Sequence, residues 1–240
     1  MSVTTIQIGK NVLASNDEAA AANQARFRQA GVLAINLMAS PGAGKTSLIT
    51  RTIAALAGRL RVGVIEGDIA GSIDAEKVLA AGAGAAVQSN TGGSCHLEAP
   101  MVRQALDQLD LSQLDLVFIE NVGNLICPTH WALGEQIKLC LASAAEGDDK
   151  PIKYPEIFAV SDVIVLNKID LIEFVDFERA AFYPPVRALN DRAPIFELSC
   201  RTGSGLADWA NWLANQHAAH ASAQSEQAAS LLSSMSEASR

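Results

Sequence analysis

Aromatic residues make up 5% of the 240-residue chain, with two tyrosines and three tryptophans. So few large rings favour a core of small aliphatic side chains over an aromatic-packed one, as in helices laid on a parallel sheet. Basic residues are also in the minority: 18 Lys and Arg face 26 Asp and Glu, for a net charge of −8. That balance argues against a general nucleic-acid binder, which needs a basic face for phosphate backbones. No apolar run approaches the length of a membrane span, and the N-terminus lacks a basic-then-apolar leader pattern. The expectation is a soluble, cytoplasmic protein with no membrane partner. The four cysteines (Cys95, Cys127, Cys140 and Cys200) form no C-x-x-C pair, and the four histidines are not clustered. A disulfide framework is therefore disfavoured, and so is a histidine-rich metal store. No internal repeat is evident.

The most informative stretch is Ala39-Ser-Pro-Gly-Ala-Gly-Lys-Thr46. It follows the apolar run Val32 to Met38 and precedes a helical pattern carrying Leu48, Ile53, Leu56 and Leu60. Strand, tight loop and helix in that order are the context of a phosphate-binding P-loop. Gly42 and Gly44 let the backbone curl so that N–H groups along Gly42, Ala43, Gly44, Lys45, Thr46 and Ser47 face phosphate oxygens. Lys45 is expected to reach the β- and γ-phosphates, and the Thr46 hydroxyl to face Mg²⁺. Ala39 stands where the motif usually begins with glycine, which would be costly if a positive φ were required there.

Further strands are expected at Arg61 to Asp68, Ala85 to Gln88, Leu116 to Glu120, Asp162 to Asn167 and Ile195 to Leu198. Helical patterns cover Asp74 to Ala81 and Leu97 to Leu109, and a further one begins after an Asn16 cap. The alternation predicts an α/β fold: a mostly parallel sheet with helices on both faces, of the P-loop NTPase type. Three regions are delimited: an N-terminal arm and helix (1–31), the P-loop domain (32–217), and an Ala-, Ser- and Gln-rich tail (218–240), disordered or weakly helical. Glu146 to Pro155 reads as a polar loop.

Ligands of such sheets bind beyond the C-terminal strand ends, where the polar residues of this chain gather. Asn167-Lys168-Ile169-Asp170 matches the guanine-reading N-K-x-D pattern. A carboxylate at Asp170 can accept two hydrogen bonds from guanine N1–H and its 2-amino group, a donor pair adenine lacks. Lys168 can lie across the base or sugar, and Asn167 can brace the loop. GTP is the favoured nucleotide. Hydrolysis needs Mg²⁺ and an oriented water; Asp68 and Glu120 are the candidate carboxylates, with Asp74 in reserve.

Cys95 and His96 are adjacent at the start of the Leu97 helix, and Cys127 follows the Leu116 to Glu120 strand. They are either a buried thiol, a helix cap and a second thiol, or ligands for Ni²⁺ or Zn²⁺. A helix N-terminus would lower the Cys95 pKa. Three ligands under-fill a four-coordinate site, and neighbouring side chains point apart. The metal is therefore expected at a two-fold dimer interface, with ligands from two chains.

The segments N-T-G-G-S-C-H-L-E-A and I-E-N-V-G-N-L-I-C-P, with the P-loop, V-I-E-G-D and N-K-I-D, resemble the HypB family of GTPases that assist nickel insertion into [NiFe]-hydrogenase. The likeness runs from about Lys10 to Asn215. It implies a SIMIBI-class fold, a dimer promoted by nucleotide, and a nickel or zinc site at Cys95, His96 and Cys127. It also implies a HypA-family nickel chaperone as partner and, through it, the hydrogenase large subunit. Lys153, in D-K-P-I-K-Y-P, is implied to contact nucleotide or the second subunit. The N-terminal C-x-x-C-G-C motif of some members is not in this sequence. Competing readings are a urease accessory GTPase, for which His130 in C-P-T-H is an extra ligand candidate, a MinD/ParA-like ATPase, and a metal-independent switch.

Overall fold

The computed structural model describes residues 8–68 and 73–238. Seven parallel strands form one sheet: β1 (Leu33–Ala39), β2 (Val62–Asp68), β3 (Ala85–Asn90), β4 (Leu116–Glu120), β5 (Ile137–Ser143), β6 (Val163–Asn167) and β7 (Ile195–Glu197). Their order across the sheet is β3-β2-β4-β1-β5-β6-β7, and every neighbouring pair is parallel. All strand C-termini therefore open onto one edge.

Alternation along each strand assigns the two faces. Ile35, Leu37, Val64, Phe118 and Leu139 pack under α2 (Lys45–Leu56) and α8 (Leu206–Ala238), with Val78 of α3 (Ile73–Ala80) closing that layer. Trp209 of α8 is fully buried there and donates its indole N–H to Thr52 Oγ1 at 2.9 Å. On the opposite face Val32, Ala34, Ile65 and Val117 meet Phe27 of α1 (Ile8–Ala30) and Val102 of α4 (Ala99–Leu106). Met38, Cys140 and Ile164 meet Ile157 and Phe158 of α6 (Pro155–Ala159) and Phe182 of α7 (Arg179–Leu189). Near-continuous apolar runs in β1, β4 and β6 follow from this two-sided burial.

Three features differ from the sequence expectation. The strand β5, beside β1 in the middle of the sheet, was not expected. Glu146 to Pro155 is not an extended loop: a 3-10 turn at Ala144–Glu146 leads into the short helix α5 (Lys150–Lys153) and then α6. Asn16 does not cap α1, which starts earlier. It is buried inside the helix, donating to the Ala132 carbonyl at 2.8 Å and accepting from the Ala99 N–H at 2.8 Å. The tail from residue 218, expected as disordered or weakly helical, continues α8 through Ala238. No Gly or Pro follows Gly205 to stop that helix. Residue Ile6 of the expected N-terminal arm lies outside the described residues. No helix among the described residues is long and apolar enough to cross a membrane.

Candidate nucleotide and metal sites

The P-loop leaves β1 at Ala39, a fully buried strand residue, and enters α2 at Lys45. Ala39 needs no glycine freedom: Lys168 is the non-glycine with positive φ among the described residues. Gly42 (φ 80°) and Gly44 (φ 104°) make the turn. A Cβ on Gly44 would lie 2.5 Å from Asn167 Nδ2, because Asn167 donates to the Ala43 carbonyl at 3.0 Å. Its Oδ1 also accepts from the N–H groups of Lys168 (2.7 Å) and Cys200 (3.2 Å). Asn167 thus joins the P-loop, the N-K-I-D turn and the Ser199–Gly203 loop. Gly44→Ala should cost about 1–3 kcal/mol through backbone strain and this contact, and should weaken nucleotide binding; urea denaturation and a nucleotide titration check both.

Two adjoining cavities open at this edge. One, of about 480 Å³, is lined by Ser47, Arg51, Asn167, Lys168, Asp170 and Arg201, among others. The second, of about 430 Å³, is lined by Gly42, Lys45, Thr46, Asp74, Glu120 and Lys168, among others. The first has the groups for a base and the second those for phosphates. Asp170 is held by a 2.6 Å hydrogen bond from the Ser199 hydroxyl to its Oδ1. Lys168 Nζ donates to the Gly42 carbonyl at 2.6 Å, which places its stem between the cavities.

On the phosphate side, Thr46 donates its hydroxyl to Glu120 Oε1 at 3.2 Å, while Glu120 Oε2 is buried without a hydrogen-bond partner. An orphaned carboxylate oxygen beside a P-loop hydroxyl suits a divalent cation, so these residues fit Mg²⁺. Asp74, the reserve candidate, lines the cavity and pairs with Lys77 at 2.6 Å. Asp68 ends β2, and its carbonyl accepts the Thr91 N–H at 3.1 Å. Lys153 lies in neither cavity; it forms an ion pair with Asp149 in the first turns after β5.

The sequence reading passed over Glu66, in the middle of V-I-E-G-D. It sits beside Glu120 in the strand register, 2% exposed, with neither oxygen hydrogen-bonded. Burial first, then the Glu120 charge, raises its pKa from 4.5 to about 8. Burial raises Glu120 from 4.5 to about 7, against the attraction of Lys45. A carboxyl with a raised folded pKa contributes stability that is complete below its unfolded value and fades as pH rises through the folded one. With nucleotide and divalent ions stripped, wild type should therefore lose urea resistance relative to Glu66→Gln as the pH goes from about 5.5 to 8.5. A parallel pH dependence of the two proteins would contradict the assignment.

Cys95, His96 and Cys127 come together in one chain, their ligand atoms all within 4.8 Å of one another. Cys95 Sγ lies 3.6 Å from His96 Nδ1, close to the roughly 3.6 Å S···N edge of a tetrahedral zinc site. The convergence corrects the expectation that neighbouring side chains must point apart. Residues 91–98 form an irregular loop, and α4 begins only at Ala99. The Cys95 pKa is accordingly raised, not lowered: the Cys127 thiol beside it is the main cause. His96 is stacked on Trp131 (centroids 4.6 Å apart, 26° between planes), and its Nε2 faces Glu98 Oε1 at 3.7 Å. His130 is not among these donors; it pairs with Glu156 at 2.9 Å. Cys140 and Cys200 are buried thiols.

A family model described as the CobW/HypB/UreG nucleotide-binding domain matches residues 33–197. The hydrogenase maturation factor HypB of Azotobacter vinelandii is 44% identical over 211 residues, covering 88% of this chain and 69% of the relative. The chain belongs to the HypB family. The crystal structure of HypB from Archaeoglobus fulgidus superposes with a TM-score of 0.80 at 39% identity, covering 85% of this chain and 100% of that one. HypB from Helicobacter pylori, solved in complex with nickel, gives a TM-score of 0.81 at 36% identity, over 85% of this chain and 95% of that one. The expected P-loop NTPase fold, SIMIBI-like, is thus the HypB fold, and the Cys95–His96–Cys127 cluster belongs to a nucleotide-binding family with a nickel-bound member.

Proposed function

We propose that this chain hydrolyses GTP, binds nickel or zinc at Cys95, His96 and Cys127, and uses the nucleotide to time nickel delivery during [NiFe]-hydrogenase maturation. One observation carries the reading: the nucleotide loop and the metal-bearing loops are built against each other. The Asn124 N–H donates to the Ala39 carbonyl at 2.8 Å, and the same residue's Oδ1 accepts from the Cys127 N–H at 3.3 Å. A Cβ on Gly123 would come within 2.9 Å of Pro41, so the two loops touch backbone to ring. The Asp68–Thr91 bond makes a second link, from the end of β2 to the Cys95 loop. Movement at the phosphates is passed to the metal ligands through these contacts.

Asp170 reads guanine with the carboxylate that Ser199 orients, and Lys168 covers the base. Lys45 neutralises charge developing on the phosphates, and Thr46 and Glu120 would hold Mg²⁺. That ion, when bound, screens the phosphate oxygens. Asp68 and Asp74 are the carboxylates available to orient the attacking water. Three donors in one chain leave a fourth position on the metal, which a second copy can fill; a homodimer promoted by nucleotide, with metal at its interface and Lys153 reaching the partner's nucleotide, follows from that reading. The proposed partners are a HypA-family nickel chaperone and, through it, the hydrogenase large subunit, in the cytoplasm.

Equilibrium dialysis with Ni²⁺ and Zn²⁺, paired with gel filtration with and without a non-hydrolysable GTP analogue, tests this reading. Metal binding and an analogue-dependent dimer are expected. Preference for ATP over GTP in competition would overturn the guanine assignment.

A further inference from the structure

Three polar side chains stand side by side across the phosphate end of the sheet. The strand register aligns Gln88 of β3 with Glu66 of β2, and Glu66 with Glu120 of β4. The next residue in the row, on β1, is the apolar Leu37. All three polar residues lie on the α2 side, since Ala86, Val64 and Phe118, two positions earlier, belong to that core layer. Five of their polar atoms are buried without a hydrogen-bond partner: both Gln88 side-chain atoms, both Glu66 oxygens and Glu120 Oε2. Native interiors rarely leave buried polar atoms unpaired, and a row of them marks a ligand or ordered water.

Spacing identifies the ligand's reach. Adjacent strands are about 4.8 Å apart, so the row extends about 10 Å from Glu120. Mg²⁺ binds oxygen at about 2.1 Å and keeps several of its waters. Its inner sphere can include Glu120 but not the whole row. A water bound to the ion and donating a hydrogen bond reaches about 4–5 Å, which is the distance of the next strand. Glu66 offers only acceptors when ionised, suited to water protons. Gln88 offers a donor and an acceptor, suited to fix the water beyond.

We propose that Glu66 and Gln88 are positioning residues that hold, through water, the outer coordination sphere of the divalent cation bound at Thr46 and Glu120. The inference rests on the nucleotide-hydrolase reading and adds to it a second carboxylate and an amide that no P-loop motif contains. Neither residue touches nucleotide; Glu66 acts through a water on the ion and Gln88 through the water beyond it. Because β3 continues into the loop that carries Cys95, the same row ties cation binding to the strand that leads to the metal ligands.

The test is a Mg²⁺ titration of a fluorescent GDP analogue on the full chain, comparing wild type with Glu66→Gln, Glu66→Asp and Gln88→Met. Affinity with EDTA should be equal in all four, which also shows that each is folded. The Mg²⁺ concentration at half-effect should rise about tenfold in Glu66→Gln, less in Gln88→Met, with partial recovery in Glu66→Asp. An unmoved midpoint, or tighter Mg²⁺ binding once the carboxylate is neutralised, overturns the proposal. Should Glu66→Gln not fold, Glu66→Asp and Gln88→Met decide by the same midpoint. If wild type itself shows no Mg²⁺ dependence or rejects GDP, the hydrolase reading fails instead.

Discussion

Replacing Lys45 by Ala should lower single-turnover GTP hydrolysis by at least about a hundredfold, the loss expected when one preorganised charge on a transferring phosphoryl group is removed. Lys45 is the first residue of α2 and lines the phosphate cavity. Its charge is close enough to Glu120 to hold that buried carboxyl's pKa down against burial. Removing it takes away the cation that faces both the phosphates and the cation-binding carboxylate. Two effects should therefore appear together: slower hydrolysis, and a loss of affinity for GTP but not for guanosine, which has no phosphate to contact Lys45. Lys168→Ala is the informative comparison. Its Nζ is tied to the Gly42 carbonyl and borders the base cavity, so affinity should fall for guanosine as well. Hydrolysis by Lys45→Ala at the wild-type rate would mean that the loop is not the phosphate site.

The P-loop turn was readable in the sequence because it is built from backbone geometry. A loop with two positive φ values carries Gly42 and Gly44, and the N-K-I-D turn proposed above to read guanine carries Asp170. Such demands leave residues in fixed order. The three metal donors were readable singly, but their convergence was not: it depends on how the Asn124 side chain folds the Ile126–Cys127 segment back and on where Trp131 lays its ring. The strand β5 was missed because I-K-L-C-L-A-S mixes a lysine, a cysteine and small residues. Only its position between β1 and β6 buries both faces. Glu66 was missed for the opposite reason. A lone acid inside a strand looks like an exception to an apolar run. Its meaning comes from Glu120 and Gln88, which are adjacent to it in space and distant in sequence. Asn16 has the residue type of a cap, whereas its partners are Ala99 at the start of α4 and Ala132 in a distant loop.

Replacing either Cys95 or Cys127 by Ala should lower metal affinity by more than about a hundredfold, beyond what loss of an outer-shell partner costs, while leaving GTP affinity in the absence of metal unchanged. A thiolate supplies both charge and a soft donor, and a site of three donors has none to spare. The same substitution at Cys140 or Cys200 should leave metal binding as it was. Cys140 is fully buried between β1 and β6, where burial drives its pKa far up, and burial raises Cys200 to about 11. Neither lies among the clustered donor atoms of Cys95, His96 and Cys127. His130→Ala should also be silent, since His130 faces Glu156. Trp131→Leu lies between these extremes: it keeps every ligand but frees the His96 ring, so affinity should fall less than in the cysteine variants, and Trp131→Phe should recover it. Isothermal titration with Ni²⁺ and Zn²⁺ across this set ranks the residues by chemistry, not by nearness in sequence. Loss of metal binding in Cys140→Ala or Cys200→Ala, with retention in Cys127→Ala, would move the site elsewhere in the fold.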